Sequence, residues 1–154
     1  MATAAGRSGR RRMITDIHRV VRLPHPRAKV WRALTQPDLV DRWLMKPEGY
    51  AAVVGTKFVL RAKGRQRGWR GFVECEVLAV EEGRLLRWSW LGDEAGPTLV
   101  VTFRLEDEGG GTRLSLDHEG FEGFGGWLLA RLMMGPGWGK LLGKRLAALL
   151  DGRD

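Results

Sequence analysis

Residues 111–121, Gly-Thr-Arg-Leu-Ser-Leu-Asp-His-Glu-Gly-Phe, constrain this chain most. Leu114, Leu116 and His118 share one parity, which predicts a strand over residues 112–119 with those three side chains on its apolar face. Gly109-Gly110-Gly111 is a hairpin turn signal just before it. Trp138 then opens a helical pattern. Trp138, Leu142, Leu146, Leu149 and Leu150 recur at spacings of three and four, while Lys140, Lys144 and Asp151 lie elsewhere on the wheel. Arg145 sits beside the stripe and is expected to extend its charge to the edge. A sheet with one apolar face needs a cover, and residues 138–150 supply one.

The rest of the chain fits such a sheet. Residues 15–23 read as a strand, with Ile17, Val21 and Leu23 on one face, and Pro24 and Pro26 end it. Val30, Trp31 and Leu34 mark a helix over residues 27–34, with Pro26 at its start. Thr35-Gln36-Pro37-Asp38 stops that helix and starts a second, whose apolar side is Leu39, Val40, Trp43 and Leu44. Pro47, Gly49 and Gly55 mark a loop. Further strands are expected at 56–62, 69–80, 85–91 and 98–105, with short turns between them. Short turns imply antiparallel pairing, because parallel strands need crossovers. The expectation is an α+β fold. It has a curved antiparallel sheet of about six strands, two short helices after the first strand, and a long C-terminal helix.

Charge and cysteine usage narrow the class. The formal net charge is +8, but Arg7, Arg10, Arg11 and Arg12 fall within residues 1–13, which hold no acid. Residues 1–13 are read as a disordered basic tail and 14–154 as a single domain. A nucleic-acid-binding domain usually carries its charge on the folded surface, so nucleic acid is disfavoured as a partner. The basic stretch around Arg61, Arg65, Arg67 and Trp69 reads as a solvated hairpin tip. No apolar run reaches the roughly 18 residues of a membrane span. Cys75 is the one cysteine, which excludes an internal disulfide and fits the cytoplasm. His18, His25 and His118 are scattered, so no metal site is expected. Neither a cofactor nor a catalytic constellation emerges from the residue pattern.

Several segments together resemble one family. They are Val30-Trp31-Arg32-Ala33-Leu34-Thr35 with Pro37, Leu39 and Trp43; Val77-Leu78-Ala79-Val80 through Leu86 to Trp90; Gly111-Thr112-Arg113-Leu114; His118, Gly120 and Phe121; and Gly137-Trp138. Their order resembles the START-like superfamily (SRPBCC), and within it the homologues of the heat-shock-protein ATPase activator's C-terminal domain. The resemblance implies a helix-grip fold with a cavity between sheet and C-terminal helix. It also implies a role in binding a small hydrophobic or aromatic molecule. A chaperone-regulating interaction module of the stress-response type and a polyketide cyclase-like enzyme are the alternatives. Residues 127–134, apolar apart from Arg131, are an insert relative to the family pattern.

The residues expected to line the cavity are Trp43, Tyr50, Phe58, Leu60, Trp88, Trp90, Phe103, His118, Trp138 and Leu142. Trp is large and amphipathic, and several around a concave sheet suit a flat ligand. Tyr50 is placed in the loop at the cavity mouth. His118 is expected at one end of the cavity as its main polar handle, with its pKa lowered by desolvation. Cys75 shares parity with Val73 and Val77 and is expected to be a buried, inert thiol. The chain is expected to be a monomer or homodimer.

Overall fold

The first strand, β1 (Ile17–Leu23), pairs with the last, β7 (Gly111–Glu119), and not with its neighbour in sequence. Between them the computed structural model has α1 (Arg27–Thr35), α2 (Pro37–Trp43), β2 (Lys46–Glu48), β3 (Lys57–Arg61), β4 (Phe72–Glu81), β5 (Leu85–Leu91) and β6 (Leu99–Glu108). The structure describes residues 16–64, 66, 68–122, 125–126 and 134–152. The tail at 1–13, Arg65 and Arg67 at the hairpin tip, and residues 127–133 of the insert lie outside the described residues.

All the strands join one antiparallel sheet in the order β1-β7-β6-β5-β4-β3-β2. It has seven strands, one more than the sequence pattern offers. The addition is β2, where Pro47 pairs with Leu60 in a stretch expected to be loop. Proline lacks the N–H for a ladder bond and is tolerated on an edge strand, which is where β2 lies.

Alternation sets the inner face. One lateral row runs Val77, Trp88, Val101, His118 and Ile17 across five strands, and all five are buried. The opposite face is polar and ion-paired, with Arg104 to Asp117 at 3.0 Å and Arg113 to Glu106 at 3.3 Å. A bulge between Val77 and Ala79 turns Leu78 to solvent. Such an insertion sharpens strand twist and helps a sheet curl.

Two glycines seat the last strand. A Cβ at Gly111 would run into the Leu23 carbonyl, where β1 and β7 come together. Gly120 closes β7 with φ +106°, a conformation L side chains avoid.

The C-terminal helix lies over the inner face. It is built of α3 (Gly135–Lys140), a π-helical turn (Leu141–Leu146) and α4 (Ala147–Leu150). Its buried residues Trp138, Leu142, Leu146 and Leu150 are each four apart. A step of four overshoots a 3.6-residue turn by about 40°. The π turn absorbs the surplus and keeps the run on one side. Leu149, expected in the same stripe, is only half-buried.

Candidate functional site

The inner face carries a connected set of rings. Trp88 is at its centre, with Phe58 at 5.3 Å, Tyr50 at 5.5 Å and Phe103 at 5.2 Å between ring centroids. Phe103 also reaches Trp43 at 6.5 Å and Trp138 at 6.2 Å. Most of these pairs are edge-to-face, the arrangement that ring quadrupoles favour. All ten residues expected to line the cavity are buried, and Leu60 and Leu142 complete the apolar wall. Phe58, Leu60, Trp88, Trp90, Phe103 and His118 lie on the sheet's inner face, and Trp43, Tyr50, Trp138 and Leu142 join the same core cluster from α2, a loop and the closing helix.

Two of them are tied to the fold by their polar atoms. The Trp43 Nε1–H donates to the Ala33 carbonyl at 2.8 Å, and the Tyr50 hydroxyl donates to the Leu34 carbonyl at 2.8 Å. Both carbonyls belong to the last turn of α1, whose acceptors have no partner within the helix. Tyr50 is 7% exposed, so it is part of the core although it comes from a loop. Burial raises its pKa, and the nearby Trp88 indole opposes part of that shift. The Trp88 Nε1–H makes no regular hydrogen bond among the described residues.

His118 lies where β7 ends. Its ring contacts Phe121 at 5.0 Å, Trp90 at 5.1 Å and Trp138 at 5.9 Å, and the residue is fully buried. The Trp138 Nε1–H donates to His118 Nδ1 at 2.9 Å. An indole nitrogen can only donate, so Nδ1 must be the bare, accepting nitrogen. The imidazole proton is therefore on Nε2. That Nε2 is buried and has no hydrogen-bond partner among the described residues. Burial lowers the His118 pKa to about 3. Protonation would also set an N–H against the Trp138 N–H. His118 is thus a neutral imidazole held in one tautomer, with its Nε2–H as the free donor position.

Phe121 is the contact that the candidate lining missed. It follows Gly120 directly, so strand parity did not reach it. The insert begins shortly after Phe121 and ends four residues before Trp138, so both of its flanks touch His118. Cys75 is buried on the same face, and its thiol pKa is raised by burial. Among the described residues no three His, Cys, Asp or Glu side chains group as metal ligands, and no helix is long and apolar enough to cross a membrane.

The comparison with known families follows the same architecture. The model described as Activator of Hsp90 ATPase homolog 1-like protein matches residues 24–151. The chain belongs to this family. Membership in the Activator of Hsp90 ATPase homolog 1-like family agrees with the resemblance in the sequence and with the helix-grip sheet. Among solved structures, protein MLL2253 from Mesorhizobium loti is 34% identical with a TM-score of 0.76, the alignment covering 90% of this chain and 98% of that one. CalU16 from Micromonospora echinospora is 29% identical with a TM-score of 0.72, over 90% of this chain and 76% of that one. DynU16, from the dynemicin biosynthetic locus, is 27% identical with a TM-score of 0.73, over 89% of this chain and 47% of that one. No curated protein matches the chain.

Proposed function

We propose that this protein binds a small hydrophobic or aromatic molecule bearing a hydrogen-bond acceptor, between the sheet and the C-terminal helix beside His118. The observation that carries the proposal is the His118 Nε2–H, a buried donor without a partner among the described residues, set among the rings of Trp90, Phe121 and Trp138. A buried polar group without a partner costs about 1–3 kcal/mol, and an acceptor on a ligand offsets that cost. A mostly apolar wall with few polar groups is the usual make-up of a small-molecule site. The rings already touch one another, so entry falls to the end of the sheet bracketed by Phe121 and Trp138. Similarity to a protein from a biosynthetic locus supports a small-molecule role.

The test is titration with aromatic ketones and fatty acids, followed by tryptophan fluorescence. Binding by the natural protein and its loss in His118→Phe, with the fold retained, supports the proposal. Equal affinity in the two proteins removes it. Mass spectrometry of small molecules retained through native purification gives the ligand's identity.

A further inference from the structure

His118 offers a ligand one polar contact, and its surroundings restrict what can take it. Trp138 occupies Nδ1 at 2.9 Å, so Nε2–H is the remaining polar position of the ring. The ring is neutral, and burial lowers its pKa to about 3. Near neutral pH it therefore brings a ligand no positive charge.

Nor do the residues packed on it. Ile17 of β1 and Val101 of β6 are its Cα partners in the sheet. Trp90 of β5, Trp138 of α3 and Phe121 after β7 face its ring. None of these five side chains is charged, and none has an acceptor atom. Asp117 and Glu119 alternate to the other face of β7, and Lys140 is on the exposed side of α3. The charge placed at this end of the sheet is negative. Asp16, directly before β1, takes the Gly120 N–H on Oδ1 at 3.0 Å, between His118 and Phe121 in the chain.

These features sort acceptors by chemistry. A carboxylate must leave water without a countercharge, which costs more than one bond to a neutral N–H returns. It also meets the Asp16 carboxylate at the entry. A hydroxyl accepts from Nε2–H but brings its own O–H, which finds no acceptor on the five neighbours. An ammonium has nothing to accept with. An uncharged carbonyl oxygen accepts and brings no donor.

We propose that the site beside His118 selects an uncharged carbonyl compound, an aromatic ketone, aldehyde or ester, and refuses the corresponding carboxylate and alcohol. This inference rests on the ligand site proposed above and names the class of molecule that it takes. Fatty acids should accordingly bind far more weakly than aromatic ketones.

The test uses the full chain near neutral pH and four probes of similar size: acetophenone, benzoate, 1-phenylethanol and α-methylstyrene. Calorimetry gives affinities, and the His118 Nε2–H resonance reports the contact. Acetophenone should bind about tenfold tighter than α-methylstyrene, which has the same shape and no acceptor, and should shift the resonance downfield. 1-Phenylethanol should be weaker than acetophenone, and benzoate about a hundredfold weaker. His118→Phe should erase the preference for acetophenone over α-methylstyrene. Benzoate or 1-phenylethanol binding as tightly as acetophenone, with the resonance shifted, overturns this inference and leaves the ligand site standing. A preference for acetophenone that persists in His118→Phe overturns it as well. If α-methylstyrene equals acetophenone and the resonance does not move, or if none of the four binds, the ligand site itself is lost and this inference falls with it.

Discussion

Trp138 and His118 hold each other in place across the interface between helix and sheet, through one hydrogen bond of 2.9 Å. The bond is buried, and it ties the start of the closing helix to the end of the last strand. Replacing Trp138 with Phe should leave Nδ1 of His118 without a donor. A loss of about 1–3 kcal/mol in unfolding free energy is expected from the stranded acceptor, beyond any packing change. Denaturant melts measure it. Nitrogen NMR of the natural protein should show His118 as the neutral Nε2–H tautomer.

Stability should fall as the pH is lowered from about 6.5 to about 3. The His118 pKa is lowered to about 3 by burial in the folded state, while the unfolded chain titrates near 6.5. Between those values the unfolded state binds the extra proton. Each pH unit below about 6 should then cost up to about 1.4 kcal/mol from this one residue. Above pH 7 His118 adds no pH dependence. His118→Gln should flatten the slope, and an unchanged slope would assign the effect to other groups.

Tyr50→Phe removes the donor to the Leu34 carbonyl while keeping the ring against Phe58 and Trp88. The expected loss is about 1–2 kcal/mol, with near-native packing by near-ultraviolet dichroism. A neutral result would show that water replaces the hydroxyl at the end of α1.

Cys75 should react with thiol reagents only as fast as the protein opens. It is buried, and burial raises its pKa, so the thiolate is scarce in the native state. Rapid labelling of the native protein would contradict its position in the core.

Gly111→Ala should destabilise by about 1–3 kcal/mol, because a methyl group meets the Leu23 carbonyl at the junction of β1 and β7. Thermal melts of this variant, set against Gly139→Ala, where a Cβ meets nothing, check the contrast.

Parity alone put His118, Trp88 and Phe103 on one face, since a strand offers only two sides. The helix wheel did the same for Trp138 and Leu142. Tyr50 was harder. Its burial comes from the end of α1, not from any local period, so a loop position suggested the surface. Pro47 concealed β2, because a proline argues against a strand except at an edge, and edges are set by topology. The Trp138–His118 bond was out of reach, although both residues had been placed inward.

The π turn gives the closing helix a spare residue. Deleting one position between Leu142 and Leu146 would change the buried spacing from four, four, four to four, three, four, which an ordinary α-helix satisfies. The same deletion within β6 or β7 would turn every later side chain to the wrong face. Length can therefore drift in the cover of this protein but not in the sheet beneath it.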